Sequence, residues 1–213
     1  MKHLQKKYDE LQNVYGSKEL SSVYGYGSQD NAKVALVFMN PTKRNIATSK
    51  SWKGIRAQWL GTKQIWDFLQ KCGLISFELN EEIKTKKPID WSEDFCVKVY
   101  DEVKENRVWI TNLAKCTQVD ARPLPDNIFI EYKDLLKKEI ELVNPKKVIF
   151  FGNQVSSIML NQNITVSTVR QKEFPLMING KRYECYAVYY PVGNGRFNQD
   201  KSVEDVVAIL NKK

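Results

Sequence analysis

The sequence predicts an α/β fold in which helices cover both faces of a mainly parallel sheet. Three short apolar runs, at 33–39, 107–111 and 147–151, have the length and the flanking turn residues typical of strands buried on both faces. Segments with the apolar spacing of helices separate these runs. Because strands that alternate with helices form parallel sheets with helices on each face, we expect a three-layer sandwich. Its centre would be a four-stranded sheet with a short hairpin added.

The N-terminal half is predicted to contain two helices, one buried strand and a long irregular segment. Residues 1–15 repeat apolar side chains at helical spacing, and a glycine-containing connection leads to the strand at 33–39. The stretch 40–61 is irregular and rich in Lys, Arg, Ser and Thr. Loops of this length inside compact domains tend to be functional or disordered. A helix is expected at 62–72, with Gly73 as its C-cap.

The C-terminal half combines further helices with a hairpin. Residues 76–91 are charged and poorly patterned, which indicates a surface excursion. Asn179 and Gly180 form a strong hairpin-turn signal between predicted strands at 174–178 and 182–190. The remaining helices are expected at 92–105, 127–143, 153–160 and 202–210.

Composition places the chain among globular proteins. With 213 residues, 42% of them hydrophobic, we expect one domain over 1–213, of which 1–30 form an N-terminal helix and connection. The net charge of +8 suits a polyanionic partner. The start of the chain lacks the apolar core of a signal peptide, and no apolar run is long enough to span a bilayer. We therefore expect a cytoplasmic protein without a membrane partner.

The cysteine and histidine content disfavours several kinds of chemistry. Cys72, Cys96, Cys116 and Cys185 are scattered without a CxxC pair, which indicates reduced thiols rather than disulfides or a zinc site. His3 is the only histidine and lies at the N-terminus, so a Ser-His-Asp triad or a histidine-rich metal centre is not expected. The glycine-rich signatures of dinucleotide and P-loop sites are also missing. No metal or cofactor is predicted.

Amides, glycines and basic residues follow the predicted strands. Ligands of such sheets bind outside the carboxyl ends of the strands. Asn40 follows the first run, Asn112 the second, Gly152 the third, and the polar stretch 191–198 the last strand. No carboxylate takes the first position after any of them, so paired-carboxylate hydrolysis and divalent-metal phosphoryl transfer are disfavoured. The predicted edge suits the polar edge of a neutral base with phosphates nearby.

Four short motifs occur after these strands in a defined order. They are FMNPT at 38–42, VWITNLAKC at 108–116, KVIFFG at 147–152 and YYPVGNGRF at 189–197. In this order they resemble the uracil-DNA glycosylase superfamily. The first is similar to the G-x-N-P-G motif, the second to the T-N-x-x-K-C element of the iron–sulfur branch, and the last takes the place of the H-P-S/A motif with its DNA-inserting loop.

The resemblance implies roles for two asparagines. Asn40 matches the residue that holds the attacking water, with Met39 and Pro41 beside it in the substrate pocket, whereas the plainer reading is that Asn40 caps a turn before Pro41. Asn112 matches the residue that hydrogen-bonds the flipped base. A carboxamide has both a donor and an acceptor, so it can pair with the O4 and N3–H edge of uracil. The alternative is a buried amide that ties loops together.

Aromatic residues complete the implied pocket. Trp59 resembles the aromatic that stacks on the base, with Trp52 as the other candidate and a core position as the alternative for either. Tyr190 stands in place of the motif histidine, and its hydroxyl would be the donor to the departing base. Two further departures are Phe38 and Thr42, which replace the glycines of the first motif.

The resemblance also implies contacts with DNA. Lys43, Arg44, Lys115 and Arg196 are expected at the mouth of the site, either in contact with phosphates or as a solvated basic face. Arg196 and Phe197 would form the wedge that fills the gap left by a flipped nucleotide, unless Phe197 folds back into the core. The iron–sulfur branch needs four cysteine ligands. Only one cysteine falls at a matching place, so no cluster is expected.

Three functions remain open from the sequence. The first is a monofunctional glycosylase that removes uracil or a related deaminated base, such as hypoxanthine or xanthine, from DNA in base-excision repair. The second is a catalytically inactive module of the same fold that binds damaged or single-stranded DNA. The third is a doubly wound enzyme acting on a free nucleoside or another small substrate.

Overall fold

A computed structural model describes residues 1–30, 32–122 and 124–212, and a six-stranded sheet lies at its centre. The strands are β1 Tyr26–Gly27, β2 Val34–Phe38, β3 Val108–Asn112, β4 Lys147–Phe151, β5 Glu173–Ile178 and β6 Lys181–Val188. Their order across the sheet is β1-β3-β2-β4-β6-β5.

The four central strands are parallel, which confirms the predicted α/β class. β2 pairs in parallel with β3 and β4, and β4 pairs in parallel with β6. The predicted four parallel strands and hairpin are both present, and β6 is at once the fourth parallel strand and half of the hairpin. Strands β1 and β5 add antiparallel edges. In this register Phe38 lies opposite Asn112, and Phe151 lies opposite Val188, so the carboxyl ends of all four strands meet at one edge.

Helices cover both faces of the sheet, since alternate strand residues point to opposite sides. The helices are α1 Lys2–Tyr15, α2 Gln64–Lys71, α3 Phe77–Thr85, α4 Glu93–Glu105, α5 Asp126–Val143, α6 Asn153–Leu160 and α7 Gln199–Asn211. Leu36 belongs to the apolar core under α2, α3, α4 and α7, whereas Val37 belongs to the core under α1, α5 and α6. Within the described residues, none of these helices is long and apolar enough to cross a membrane.

The prediction of a surface excursion at 76–91 was wrong, because this stretch contains α3. Ser76 caps the helix by accepting a hydrogen bond from the Leu79 amide at 3.2 Å. Leu79 and Ile83, four residues apart, are buried against the core. Four charged side chains surround these two positions between 77 and 85 and hide the periodicity in the sequence. Packing against the core therefore forms a helix that the local pattern does not indicate.

The hairpin turn and the long loop both have defined conformations. Asn179 and Gly180 have φ angles of 47° and 80°, the left-handed pair that a two-residue turn between twisted strands requires. In the 40–61 loop, the buried Asn45 amide accepts a hydrogen bond from the Ala47 amide at 3.0 Å and donates to the Ala57 carbonyl at 2.9 Å. This side chain holds the two limbs of the loop together at the edge of the sheet.

Candidate functional site

The segments that follow β2 and β3 run side by side at the carboxyl edge. The Ala114 amide donates to the Met39 carbonyl at 3.0 Å, and the Gln118 amide donates to the Pro41 carbonyl at 3.1 Å. These bonds lie on either side of Asn40. They hold the FMNPT motif at 38–42 against the segment that follows β3. This agrees with the expectation that the carboxyl ends of the parallel strands lie together.

Asn112 is the last residue of β3, and its side chain is only partly satisfied. The residue is 1% exposed, and its Nδ2 donates to Gln58 Oε1 at 2.9 Å. Its Oδ1 is buried and has no hydrogen-bond partner among the described residues. A buried acceptor without a partner costs about 1–3 kcal/mol. The site therefore has a carbonyl oxygen suited to accept an N–H from a ligand.

Asn40 lies half-buried at the start of the long loop. Its Nδ2 donates to the Pro41 carbonyl at 3.2 Å, whereas turn capping would use its Oδ1 to accept a backbone N–H. No hydrogen bond to its Oδ1 is found in the described part of the chain. Met39 is half-buried and Pro41 is buried on either side of it. The side chain thus has a free carbonyl oxygen at the edge of the sheet.

Four aromatic rings, from Phe38, Trp59, Phe151 and Tyr190, form an aromatic cluster beneath this edge. Phe38 stacks on Phe151 with ring centroids 4.4 Å apart and an interplanar angle of 5°. Trp59 and Tyr190 approach Phe38 edge-on, at 5.2 Å and 6.0 Å. The Phe38 ring is fully buried in this cluster, so the replacement of a motif glycine by phenylalanine is accommodated in the core.

The two candidate tryptophans differ in their surroundings. Trp59 is partly buried, has a left-handed φ of 63°, and its Nε1 is buried without a hydrogen-bond partner in the described residues. Trp52 donates its Nε1 to the Ile55 carbonyl at 2.9 Å, within its own loop. Trp59, and not Trp52, therefore contacts Phe38 and carries an unpaired polar atom.

Tyr190 follows β6 and is half-buried. Burial raises the pKa of its hydroxyl above the usual value, so the group stays protonated and able to donate at neutral pH. The backbone around it is tightly packed, since a Cβ at Gly195 would lie 2.0 Å from the Tyr190 carbonyl oxygen. Glycine is required there for the short 3-10 helix Gly193–Asn198 to fold back on Tyr190.

That short helix presents the predicted wedge to solvent. Phe197 is 82% exposed, so the alternative in which it folds into the core was wrong. The Arg196 guanidinium carbon lies 5.1 Å from the Phe197 ring centroid. Arg196 also lines a shallow groove of about 300 Å³ together with Lys63 and Lys84. Lys43 and Arg44 are exposed in the loop after the first motif.

Lys115 does not lie at the mouth of the site, which corrects the sequence prediction. Its side chain is fully buried, and its Nζ lies 2.9 Å from Glu139 Oε2 on α5. The ammonium also donates to the backbone carbonyl of Asn112. A lysine can be buried when it is paired in this way. Lys115 is therefore a structural group beneath Asn112 and does not contact phosphate.

The four cysteines are divided between the two faces of the sheet. Cys72 and Cys96 belong to the core on one face of the sheet, and Cys116 and Cys185 belong to the core on the other face. All four are free thiols. Among the residues that the structure describes, no three His, Cys, Asp or Glu side chains are grouped to hold a metal ion.

Gln58 is the residue of this site that the sequence prediction did not assign. It is buried behind Asn112 and bonded to it. The available signal was its position in Gln58-Trp59-Leu60-Gly61, directly before the candidate stacking residue. Nothing in the local pattern indicates that it contacts Asn112, which lies 54 positions further along the chain.

The fold is that of an α/β protein, and a candidate site of amide and aromatic side chains lies at the carboxyl ends of its parallel strands. Residues 24–212 match the family model of the Uracil DNA glycosylase superfamily. The chain belongs to this superfamily. Membership supports a DNA glycosylase type of hydrolase with DNA as its substrate. The matched range includes every strand and all the site residues described above.

Proposed function

We propose that the protein is a monofunctional DNA glycosylase that removes uracil or a related deaminated base from DNA. The observation that carries the proposal is the buried, unpaired Oδ1 of Asn112 at the carboxyl edge of the sheet. Uracil presents N3–H beside O4, so N3–H can donate to this oxygen. The Asn112 nitrogen has two hydrogens and gives one to Gln58, which leaves the other for O4.

The aromatic cluster supports the same substrate. A base bound at Asn112 has to leave the DNA stack, and glycosylases compensate for this by stacking the flipped base on side chains of the pocket. Trp59 is the stacking residue in this proposal. It contacts Phe38, the last residue of β2, and Phe38 lies opposite Asn112 on the neighbouring strand β3. Met39 and Pro41 complete the substrate pocket around the first motif.

Asn40 positions the attacking water. Its Nδ2 is engaged by the Pro41 carbonyl, so Oδ1 is the atom that accepts a hydrogen bond from water. The water oxygen attacks C1′ as the N-glycosidic bond breaks, and the transition state has oxocarbenium character. The base leaves as a stabilised anion, so positioning the water is more important than a strong base. An amide does this without titrating.

Tyr190 assists the departing base. The Tyr190 hydroxyl, whose pKa burial holds above its usual value, donates a hydrogen bond to the base as negative charge develops on it. A Schiff-base lyase step would need an unprotonated lysine at C1′. Lys115, three residues after Asn112, is instead paired with Glu139, which supports monofunctional hydrolysis.

DNA is held by basic residues and by the exposed loop. Lys43, Arg44 and Arg196 are exposed and contact phosphates in this proposal. Phe197 fills the gap in the stack left by the flipped nucleotide, which requires the exposed position that it has. Binding then weakens steeply with salt, because phosphate contacts release counterions.

A second function is favoured by one observation. Tyr190 replaces the histidine of the family motif, and a hydroxyl has a different reach and angle from an imidazole. A chain that binds DNA at this site without hydrolysing it would be the inactive module. An enzyme acting on free nucleosides is the third reading, and it would bind DNA weakly with little dependence on salt.

The test is cleavage of labelled single- and double-stranded oligonucleotides that contain one uracil, hypoxanthine or xanthine. The wild type is expected to cut at one or more of these bases, and Asn40→Ala is expected to lose the activity. Asn163→Ala makes the same change at an exposed asparagine after α6, away from the site, and should retain it. Salt-sensitive binding without cleavage would favour the inactive module, and weak, salt-independent binding would favour the nucleoside enzyme.

A further inference from the structure

The amide of Gln58 has a single orientation that satisfies its neighbours. Its Nε2 donates to two backbone carbonyls, those of Val23 at 3.3 Å and Tyr24 at 3.4 Å. Carbonyl oxygens only accept hydrogen bonds, so the nitrogen has to face them and the Oε1 has to face the other way. Oε1 points to Asn112 and accepts from its Nδ2 at 2.9 Å.

The backbone around Gln58 is itself held in place. The Tyr100 hydroxyl on α4 donates to the Gln58 carbonyl at 2.7 Å. The two acceptor carbonyls belong to a segment that is bonded on both sides, with the Val23 amide donating to the Lys115 carbonyl at 3.2 Å and the Tyr24 amide donating to the Arg56 carbonyl at 2.8 Å. The orientation of the Gln58 amide is therefore set by fixed backbone groups and not by solvent.

The orientation of Gln58 determines that of Asn112. If the Asn112 amide rotated by half a turn, its Oδ1 would face Gln58 Oε1, and two acceptors would meet without a hydrogen between them. The present orientation makes one hydrogen bond and leaves Oδ1 as the buried, unpaired atom. Asn112 alone can present either end of its amide to a ligand, and its bond to Gln58 selects one end.

We propose that Gln58 is a positioning residue that sets the base specificity of the site. With Asn112 held in this orientation, the site accepts a base edge with a ring N–H beside a carbonyl, as in uracil. It rejects an edge with an unprotonated ring nitrogen beside an amino group, as in cytosine. This inference rests on the proposed function in one respect, namely that Asn112 reads the base.

The test measures binding without cleavage. Single-stranded oligonucleotides would carry one 2′-fluoro-2′-deoxyuridine or one 2′-fluoro-2′-deoxycytidine, because the fluorine destabilises the oxocarbenium-like transition state and suppresses hydrolysis. The ratio of the two dissociation constants is the readout. In the wild type the uracil oligonucleotide is expected to bind roughly tenfold or more tightly, the ratio that one buried hydrogen bond of about 1.4 kcal/mol produces.

Two variants separate positioning from general structure. Gln58→Met keeps the size of the side chain but has no strong acceptor for Asn112, so the amide can rotate and the ratio is expected to fall towards one. Gln58→Glu keeps a carboxyl oxygen that accepts from Asn112 Nδ2. Burial favours its protonated form, which still donates to a backbone carbonyl, so the ratio is expected to remain.

The outcomes distinguish this inference from the proposed function. A ratio unchanged in Gln58→Met, with both oligonucleotides bound more weakly by the same factor, would give Gln58 a purely structural role and overturn the inference. A wild type without any preference would overturn it as well. A wild type that prefers uracil through Gln58 but does not cleave uracil-containing DNA would uphold the inference while the glycosylase proposal fails.

Discussion

Lys115 and Glu139 form an ion pair, with Nζ and Oε2 2.9 Å apart, in which both side chains are closed to solvent at 0% and 2% exposure. Glu139 also accepts hydrogen bonds from the Tyr8 hydroxyl at 2.7 Å and the Trp109 Nε1 at 2.9 Å. Lys115 donates to the carbonyl of Asn112. The pair therefore joins α1, β3 and α5 directly beneath the residue proposed to read the base.

Removal of the lysine should destabilise the fold. Lys115→Met leaves Glu139 as an uncompensated buried charge, and breaking a buried pair in this way costs about 3–5 kcal/mol. We expect this loss in the free energy of unfolding measured by urea denaturation. The double variant Lys115→Met/Glu139→Leu should recover part of it, because no buried charge remains. Lys43→Met, at an exposed position, is the control and should change stability by less than about 0.5 kcal/mol.

The same pair predicts a dependence of stability on pH. Burial raises the pKa of Glu139, but the Lys115 charge and hydrogen bonds to the carboxylate outweigh it and hold this pKa below its usual value. As pH falls, the unfolded chain therefore takes up this proton at a higher pH than the folded chain does. The stability contributed by the Glu139 carboxylate is present above about pH 4.3 and is lost as pH falls through the pKa of the folded chain. The double variant should lose less stability than the wild type in this acid range. Equal acid dependence of the two proteins would contradict this account.

Trp59 should contribute to substrate binding more than Trp52. Stacking of a base on an aromatic side chain is worth about 1–3 kcal/mol, so Trp59→Ala should weaken binding of an oligonucleotide carrying 2′-fluoro-2′-deoxyuridine by roughly 5- to 150-fold. Trp52→Ala removes a tryptophan of the same loop that bonds to its own backbone segment, and it should leave affinity nearly unchanged. Fluorescence anisotropy at fixed salt measures both. Comparable losses in the two variants would argue against Trp59 as the stacking residue.

Phe197 should affect DNA handling without affecting stability. Because the side chain is 82% exposed, Phe197→Ala should change the free energy of unfolding by less than about 0.5 kcal/mol. A wedge is needed where a flipped base leaves a gap in a duplex, so cleavage of double-stranded substrate should fall more than cleavage of single-stranded substrate. Phe77→Ala, at a phenylalanine of α3 that is 59% exposed, is the matched control. An equal loss on both substrates would mean that Phe197 is not a wedge.

Much of the fold is determined by local patterns in the sequence. The apolar runs at 33–39 and 147–151 contain the strands Val34–Phe38 and Lys147–Phe151, because short continuous apolar runs suit a position buried on both faces of a sheet. Asn179-Gly180 forms the hairpin because both residues accept a left-handed backbone. Asn40 and Asn112 come to one edge because parallel strands end there together. These features depend on residues close together in the chain or on the general geometry of parallel sheets.

Other features were decided only by the tertiary structure. Lys115 looks like a surface cation in its own segment, and its burial depends on Glu139, which lies on a helix further along the chain. Gln58 looks like an ordinary loop residue until the fold brings Val23, Tyr24 and Asn112 around its amide. Hydrophobic periodicity indicates which face of a helix or strand is buried, but it does not indicate which polar groups contact each other there. Buried polar groups are satisfied by partners from distant segments, and those partners are known only once the chain has folded.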